Sequence, residues 1–422
     1  MFRTIRDAWR IPDLRKRILY TLLMLAIVRI GSTMPSPFID ASVMNEYFST
    51  SGGVLALFDA MSGGAFSNMN LFAMGITPYI NASIIMNLLT IAIPRLEELN
   101  QDGESGRKKI AQYTRYLTIA LALIQAFGIS YSLNAGYGVM SSQVNTVWAI
   151  IVSVFTFTAG TAFVMWIGEN ITSKGVGNGI SLIIFVNILS RVPSAITSLM
   201  NYENKWALVL LAVLALMIIA FVVLLSLGER RLPVQYAKKM QGRKSYGGQN
   251  THIPIRVNLA GVIPIIFAIS LISFPQIITS FFTTNPTGFW GGVLNWLSTR
   301  HPFGAVLYVL LIILFTYFYA SITFNPMEIA NNMKKNGGFI PGIRPGRPTY
   351  EYIKKVSKYV IFIGAIGLAI VASLPVIMSF IFKIDNLNIG GSSLLIVVGV
   401  ALETVKQVES MMVTRHYKGF LR

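Results

Sequence analysis

The chain has 422 residues, of which 54% are hydrophobic and only 12% are charged, and its formal net charge is +18. Soluble domains hold about 25% charged residues, so this composition excludes an ordinary soluble protein of the same length. The sequence has no cysteine and only three scattered histidines, which excludes disulfides and argues against a thiolate or histidine metal site. We therefore expect a membrane protein without a metal or other cofactor.

Ten apolar segments follow one another along the chain, each near the roughly 20 residues that cross a bilayer as a helix. They cover residues 18–28 with their flanks, 71–93, 116–133, 147–167, 180–199, 207–227, 259–282, 303–324, 360–382 and 393–413. The last carries Glu403, Lys406 and Glu409 in its second half, which can belong to a cytosolic extension. Ten spans predict an all-α polytopic membrane protein with both termini on one side.

The basic N-terminus is predicted to be a cytosolic segment rather than a cleaved signal peptide. Six Arg and Lys residues lie within residues 1–17, but the apolar stretch that follows is interrupted by Arg29 and ends without a small-residue cleavage pattern. A charge within a span is costly. We therefore expect Arg29 to reach toward the interface or to pair locally, in preference to a gating role.

Positive charge is distributed unequally across the predicted membrane. With the N-terminus inside, 30 of the 35 Lys and Arg residues fall in inside segments. The outside segments hold only Arg191, Lys205, Arg300 and Lys383. This asymmetry follows the positive-inside rule and predicts that both termini are cytoplasmic. Most of the net charge of +18 is therefore explained by the orientation of the chain in the membrane.

Two inside connections carry more positive charge than topology requires. Residues 228–256 and 326–358 each contain seven Lys and Arg residues in about 30 positions, with glycine-rich turns. Long basic projections fit an acidic partner such as ribosomal RNA or an anionic protein surface. Lipid headgroups are the alternative partner.

The ten spans divide into two sets of five that share a short motif. The second span of the first set contains Gly75-Ile76-Thr77-Pro78, and the second span of the other set contains Gly261-Val262-Ile263-Pro264. An odd number of spans per set makes the two sets opposite in direction, which is the pattern of an inverted repeat.

A short apolar segment between the first two spans does not fit the ten-span scheme. Residues 54–61 are flanked by Gly52-Gly53 and by Ser62-Gly63-Gly64. Eight helical residues cover about 12 Å, less than half of a bilayer. The segment is therefore either a re-entrant or mobile element lining a cavity or an amphipathic helix on the outer surface.

Catalytic motifs are missing from the sequence. The glycine-rich stretches 103–108 and 175–179 lack the spacing and the preceding strand of a phosphate-binding loop. The middles of the spans hold almost no ionisable residue, whereas a secondary transporter usually keeps one there. An intramembrane protease needs paired catalytic residues, which we do not find. A pore without charges suits a neutral or heterogeneous polymer, and an assembly scaffold stays as the open alternative.

Several characteristic motifs are distributed along the chain. They are NLFAMGITPYINASII at 70–85, GVGNGIS at 175–181, and 316–346 with its TYFY, FNP and PGIRPG motifs. GESGRKK at 103–109 and NLAGVIP at 258–264 accompany them. With these motifs, nearly the whole chain resembles the SecY family of bacterial protein-export channels. One departure is Asn87, where this family commonly has Gln.

The resemblance implies an hourglass channel of two inverted five-helix halves, residues 1–200 and 201–422. Its constriction, here called the isoleucine ring, would comprise Ile76, Ile80, Ile180, Ile184, Ile266 and Ile396. Its plug segment, about residues 54–68, would include Val54, Leu55, Leu57, Phe58, Met61, Gly63, Gly64 and Phe66. Stiff β-branched side chains keep a defined aperture, and a narrow apolar ring opposes ion leakage by dewetting.

The resemblance also implies a lateral gate and a set of partners. The gate would lie between spans 2–3 and 7–8, near Asn81, Ile85 and Asn258, although interhelical hydrogen bonding also explains the two Asn residues. Arg344 and Arg347 in one basic loop, and Arg243 and Lys244 in the other, would contact a ribosome or the motor ATPase SecA. The family further implies SecE-type and SecG-type subunits, anionic lipids, signal peptides and unfolded precursors, in a bacterial plasma membrane and without catalytic residues.

Overall fold

The computed structural model describes residues 2–40, 59, 61–138, 140, 144–200, 205–236, 239–241, 244–246, 250–280, 289–298, 301–382 and 391–416. Within these ranges ten long helices correspond one to one to the predicted spans. They are α2 (Pro12–Gly31), α3 (Thr77–Ala92), α5 (Glu104–Tyr137), α6 (Thr146–Lys174), α7 (Gly179–Met200), α8 (Lys205–Leu227), α9 (Ile263–Ser280), α11 (Pro302–Thr323), α13 (Arg347–Phe382) and α14 (Gly391–His416). Four shorter helices are α1 (Phe2–Arg10), α4 (Pro94–Gln101), α10 (Phe289–Leu297) and α12 (Pro326–Lys335).

Among the residues whose side chains the structure describes, four helical stretches are long and apolar enough to cross a bilayer by themselves, in α5, α6, α11 with the following α12, and α13. A fifth is obtained when α3 and α4 are counted as one bent span. The second predicted span also begins later than hydropathy indicates, because residues 71–76 form turns before α3 starts at Thr77.

The shared Gly-x-x-Pro motif produces the same local geometry in both halves. Gly75 has φ +52° and Gly261 has φ +63°, a left-handed conformation that glycine adopts without a steric cost. Each glycine lies two residues before the first residue of its helix, and each proline occupies the second helical position, where its missing N–H costs no helical hydrogen bond. The two second helices therefore begin in equivalent ways.

Helix α3 ends in a sharp break. Ile93 is extended, as expected for a residue before proline, and Pro94 starts α4 at an angle of 104° to α3. After the turn at Gly103, α5 runs for 34 residues, about 51 Å at 1.5 Å per residue. That length exceeds the roughly 30 Å of the hydrocarbon core, so α5 is longer than a crossing requires.

The first basic connection contains strands, which the sequence analysis did not predict. Strand β1 (Glu229–Tyr236) pairs antiparallel with β4 (Asn250–Arg256), and β5 (Gly338–Phe339) from the second basic connection pairs with the other edge of β1. A separate hairpin joins β2 (Lys239–Gln241) to β3 (Lys244–Tyr246). Leu232 and Ile255 on the sheet pack in one buried cluster with Ile353 of α13. The two basic connections are therefore one packed unit.

The two halves touch along two seams. On one side α9 contacts both α3 and α5, and on the other side α14 contacts α7. The main apolar cluster lies between these seams and draws side chains from α2, α3, α6, α7, α8, α9, α11, α13 and α14. The two halves therefore share one apolar cluster of aliphatic and aromatic side chains.

Candidate functional site

The six residues of the predicted isoleucine ring come together in the main apolar cluster. Ile76 lies in the turn just before α3, Ile80 lies on α3, and Ile180 and Ile184 lie on α7. The two ring residues of the second half lie on α9 and α14. Five are buried members of the cluster, while Ile180 is half-buried and packs against it beside Gly168 of α6. The cluster is larger than the ring, so the specific role of these six side chains stays a prediction.

Helix α7 is fixed by close backbone contacts and by an Asn cap. A Cβ on Gly179 would lie 2.0 Å from the carbonyl oxygen of Gly168, so only glycine allows this approach of α7 to α6. Asn178 Oδ1 accepts hydrogen bonds from the backbone N–H groups of Ile180 (3.1 Å) and Ser181 (3.3 Å). The glycine-rich stretch 175–179 thus serves as a tight helix connection.

The plug segment is described only in its second part. Val54, Leu55, Leu57 and Phe58 lie outside the described residues, whereas Asp59 and the chain from Met61 onward lie within them. Met61 is buried in the main apolar cluster together with the ring residues, and Phe66 is buried in a neighbouring cluster. Gly63 and Gly64 have positive φ, 71° and 88°. The described part of the plug segment, residues 59 and 61–68, therefore packs on the main apolar cluster, which we call the apolar centre.

Hydrogen bonds join Asp59 to residues 62–67 in the described part of the plug segment. The backbone N–H of Gly64 donates to the Asp59 carbonyl oxygen at 2.9 Å, and the Ser62 hydroxyl donates to the same oxygen at 3.0 Å. The Asp59 carboxylate accepts the backbone N–H of Ser67 at 2.8 Å. A buried carboxylate thus organises the turn that carries the two glycines.

Three side chains from the surrounding helices bind the plug segment. Asn187 Nδ2 on α7 donates to the Met61 carbonyl oxygen at 2.9 Å, and Arg29 Nη1 on α2 donates to that of Gly63 at 3.3 Å. Arg191 on α7 forms an ion pair with Asp59. Local pairing of Arg29 is predictable from the sequence, but its partner Gly63 is not, and the sequence gives no indication that Asn187, Arg191 or Asp59 are plug contacts.

At the predicted lateral gate, the two asparagines have atoms without hydrogen-bond partners. Among the described residues, none bonds to Asn81 Nδ2 or to Asn258 Oδ1, although both atoms are buried. Ile85 on α3 is half-buried. Asn258 does not start the seventh long helix as expected, because that helix, α9, begins at Ile263. Helices α3 and α5 contact α9, so the seam is closed here.

The predicted partner-binding arginines lie on an exposed turn. Arg344 is exposed between Gly342 and Gly346, both of which have positive φ. Its carbonyl oxygen accepts the Thr349 hydroxyl at 2.9 Å, which fixes the turn to α13. Arg347 is exposed and bonds to Glu351 one helical turn away. In the other loop, Arg243 lies outside the described residues, and Lys244 begins β3.

The base of the first basic connection also carries an ion pair. Arg231 Nε donates to Glu229 Oε1 at 2.7 Å, and this hydrogen bond lowers the pKa of the Glu229 carboxyl. The described part of the chain has no group of three or more His, Cys, Asp or Glu side chains that could hold a metal ion. Glu229 is therefore understood as the partner of Arg231 in an ion pair.

The chain has the architecture of a polytopic membrane protein of the channel-forming type. It has ten long helices, two halves whose second helices each begin after a glycine of positive φ, and an apolar centre on which a short segment packs. The SecY sequence profile matches residues 70–405. The chain belongs to the SecY family. It is 45% identical, over the full length of both chains, to the protein translocase subunit SecY of Halalkalibacterium halodurans.

Two solved structures have the same fold. One, described as the structure of a protein conducting channel, superposes with a TM-score of 0.66 at 17% identity and covers 94% of this chain and 92% of its own. The other, Sec61 in the canine ribosome-channel complex from the endoplasmic reticulum, gives 0.62 at 16% identity, with the same coverage. The predicted fold of ten helices in two inverted halves with a plug is thereby confirmed.

Proposed function

We propose that this chain is the channel subunit of a protein-export translocase. It passes unfolded precursors that carry signal sequences across the membrane and releases apolar segments sideways into lipid. The observation that carries the proposal is the buried apolar centre at the junction of the two halves, residues 1–200 and 201–422, with the plug segment packed on it. An apolar constriction offers a passing chain no strong polar binding site, while it keeps ions out when closed.

The membrane is the bacterial plasma membrane, and both termini lie in the cytoplasm. The support is the charge asymmetry, with 30 of 35 Lys and Arg residues in the inside segments. In this orientation the sheet and the exposed turn at Arg344 project into the cytosol, and the plug segment lies on the outer side of the apolar centre.

The energy for transport comes from a partner, and the chain itself has no catalytic residues. The basic turn with Arg344 and Arg347, and the loop tip with Arg243 and Lys244, are the surfaces for the motor ATPase SecA or the ribosome. The support is their charge and, for Arg344 and Arg347, their exposure. The Sec61 relative belongs to a ribosome-channel complex. SecE-type and SecG-type subunits complete the assembly, and anionic lipids contact the remaining cations.

The seam where α9 meets α3 and α5 is the lateral gate. Asn81 and Asn258 hold buried polar atoms near this seam without a partner among the described residues. An unsatisfied buried polar atom disfavours the conformation that buries it. A signal peptide that separates the helices at Ile85 would therefore relieve a cost that the closed seam carries.

The proposal is tested by ion conductance across planar bilayers. The intact chain in its purified complex is expected to be silent, and a variant lacking residues 54–68 is expected to leak. A variant lacking residues 41–50, which shortens the same connection outside the plug segment, is the control and is expected to stay silent. If neither the intact chain nor the plug deletion conducts, even with a signal peptide added, the assembly-scaffold alternative replaces the channel.

A further inference from the structure

One face of α7 changes character from the apolar centre toward the outer end of the helix. Ile180, Ile184, Asn187 and Arg191 follow one another at spacings of four, three and four residues, so they share a single helix face. The first two belong to the isoleucine ring, and the next two bind the plug segment. The helix face that lines the apolar centre therefore continues into a polar surface beneath the plug segment.

The Asp59–Arg191 ion pair is well sheltered from water. The Asp59 side chain is 4% exposed and the Arg191 side chain 29% exposed. An ion pair in such surroundings is screened less than one on the surface. Removing one partner leaves a buried charge uncompensated, which strongly destabilises the conformation that buries it. The pair is therefore sensitive to the loss of either charge.

Two further hydrogen bonds hold the backbone of the plug segment at positions 61 and 63, close to Asp59. Arg29 approaches from α2 and Asn187 from α7, and both donate to backbone carbonyl oxygens, of Gly63 and Met61 respectively. A Cβ on Gly63 would lie 2.6 Å from Arg29 Nη1. These helices thus hold the plug segment from two sides, and its internal hydrogen bonds transmit the restraint to the whole turn.

We propose that Arg29, Asn187, Arg191 and Asp59 form a polar latch that keeps the plug segment on the apolar centre, with the Asp59–Arg191 pair as its charge-dependent part. The inference rests on the proposed channel function. It assigns Arg29, Asn187 and Arg191 as positioning residues of the closed state. Opening the channel requires the Asp59–Arg191 pair to separate, and signal-peptide binding must supply the free energy for that separation.

The test is a double-variant experiment on the full chain in its purified complex, with spontaneous channel openings counted in planar bilayers. Asp59→Asn and Arg191→Gln are each expected to raise the frequency of openings at least about tenfold, the ratio that 1.4 kcal/mol produces. The conservative variant Arg191→Lys is expected to return the frequency toward that of the unmodified chain. The double variant Asp59→Asn with Arg191→Gln is expected to open less often than the product of the two single effects, because the second change removes a charge that has already lost its partner.

A second measurement reports plug position without relying on conductance. The chain has no cysteine, so a single Ser62→Cys substitution, at a buried position of the plug segment, gives one unique thiol. Labelling of this thiol from the outer side by a membrane-impermeant maleimide is expected to be slow in the unmodified background and faster with Asp59→Asn. Glu104→Gln removes the exposed Glu104–Lys108 pair and is expected to change neither readout.

The outcomes separate this inference from the channel function. If the deletion of residues 54–68 conducts but Asp59→Asn and Arg191→Gln neither open more often nor label faster, the polar latch is wrong and the channel stands. A double variant whose effect equals the product of the two single effects would also overturn the latch, because the two charges would then not act as a pair. If the deletion itself stays silent, the channel proposal fails together with the latch.

Discussion

Two neighbouring residues of α7 provide a matched test of the isoleucine ring. Ile183 and Ile184 are both 0% exposed and belong to the same apolar cluster. Ile183 faces α6, since its Cδ1 lies 3.4 Å from the position a Cβ would take on Gly168. Ile184 lies on the helix face that carries Asn187 and the plug contacts. Alanine at either position removes the same atoms, but only Ile184→Ala should widen the constriction.

The expected loss of stability is the same for both variants. Replacing a buried Ile by Ala costs about 2–5 kcal/mol in soluble cores, as the sum of a transfer and a cavity contribution. Lipid tails are as apolar as a protein interior, so the hydrophobic driving force between helices is missing in a bilayer. We therefore expect the lower end of that range, about 2 kcal/mol, for each variant. A thermal unfolding scan of the purified complex checks this equality.

Single-channel conductance then distinguishes the two positions. In the background lacking residues 54–68, where the plug segment no longer covers the ring, Ile184→Ala is expected to raise the conductance above that of the deletion alone. Ile183→Ala is expected to leave it unchanged. Equal conductance of the two variants would refute the argument, because the ring would then not be defined by the α7 face that bears Ile184.

Two further predictions concern backbone packing and the exposed turn. Gly179→Ala forces a Cβ to 2.0 Å from a carbonyl oxygen of α6. It is expected to reduce the free energy of unfolding by about 1–3 kcal/mol, as is typical of overpacking, and so to lower the thermal unfolding temperature. Gly292→Ala, with no atom within 4 Å of its Cβ, should not lower that temperature, because alanine is the better helix former. Arg344→Ala is expected to lower precursor-stimulated ATP hydrolysis by SecA severalfold. Arg347→Ala should have a smaller effect, because it loses only an exposed ion pair with Glu351, which contributes little free energy. A larger effect of Arg347→Ala than of Arg344→Ala would contradict the assignment of Arg344.

The number and order of the helices were predictable because a bilayer imposes a minimum helix length. Hydropathy did not predict where α3 starts, since residues 71–74 are apolar and yet belong to turns. The backbone decides that boundary, through the left-handed conformation of Gly75 and the hydrogen bond from its N–H to the Phe72 carbonyl oxygen at 2.8 Å. The Gly-x-x-Pro motif was visible in the sequence, but its equivalent geometry in the two halves required coordinates.

The strands of the three-stranded sheet were recognisable in the sequence only in part, because the many charges of their connection favour a loop. Leu232 and Val234 are buried and alternate with exposed Arg231 and Pro233 along β1, which is the period-two pattern of a strand with one buried face. Proline within such a run argues against a strand, and seven Lys and Arg residues in the connection favour a loop. The pairing of β1 with β5 joins positions about a hundred residues apart, beyond the reach of a local pattern.

The contacts to the plug segment were the least predictable part of the site. Arg29 and Gly63 are 34 positions apart, and Asp59 and Arg191 are 132 apart. No spacing rule connects such pairs, so the sequence indicated only a costly charge in the first span. The short apolar segment itself was recognisable, because its length is insufficient to cross a bilayer.

The choice of acceptors in the polar latch has an evolutionary consequence. Asn187 and Arg29 bind carbonyl oxygens, and every residue supplies one regardless of its side chain. Position 61 can therefore vary among apolar residues without losing its hydrogen bond, whereas position 63 is restricted to glycine by its left-handed backbone, with φ +71°. Asp59 and Arg191 depend on each other's side chains, so substitutions at these two positions are expected to arise in pairs across diverging lineages.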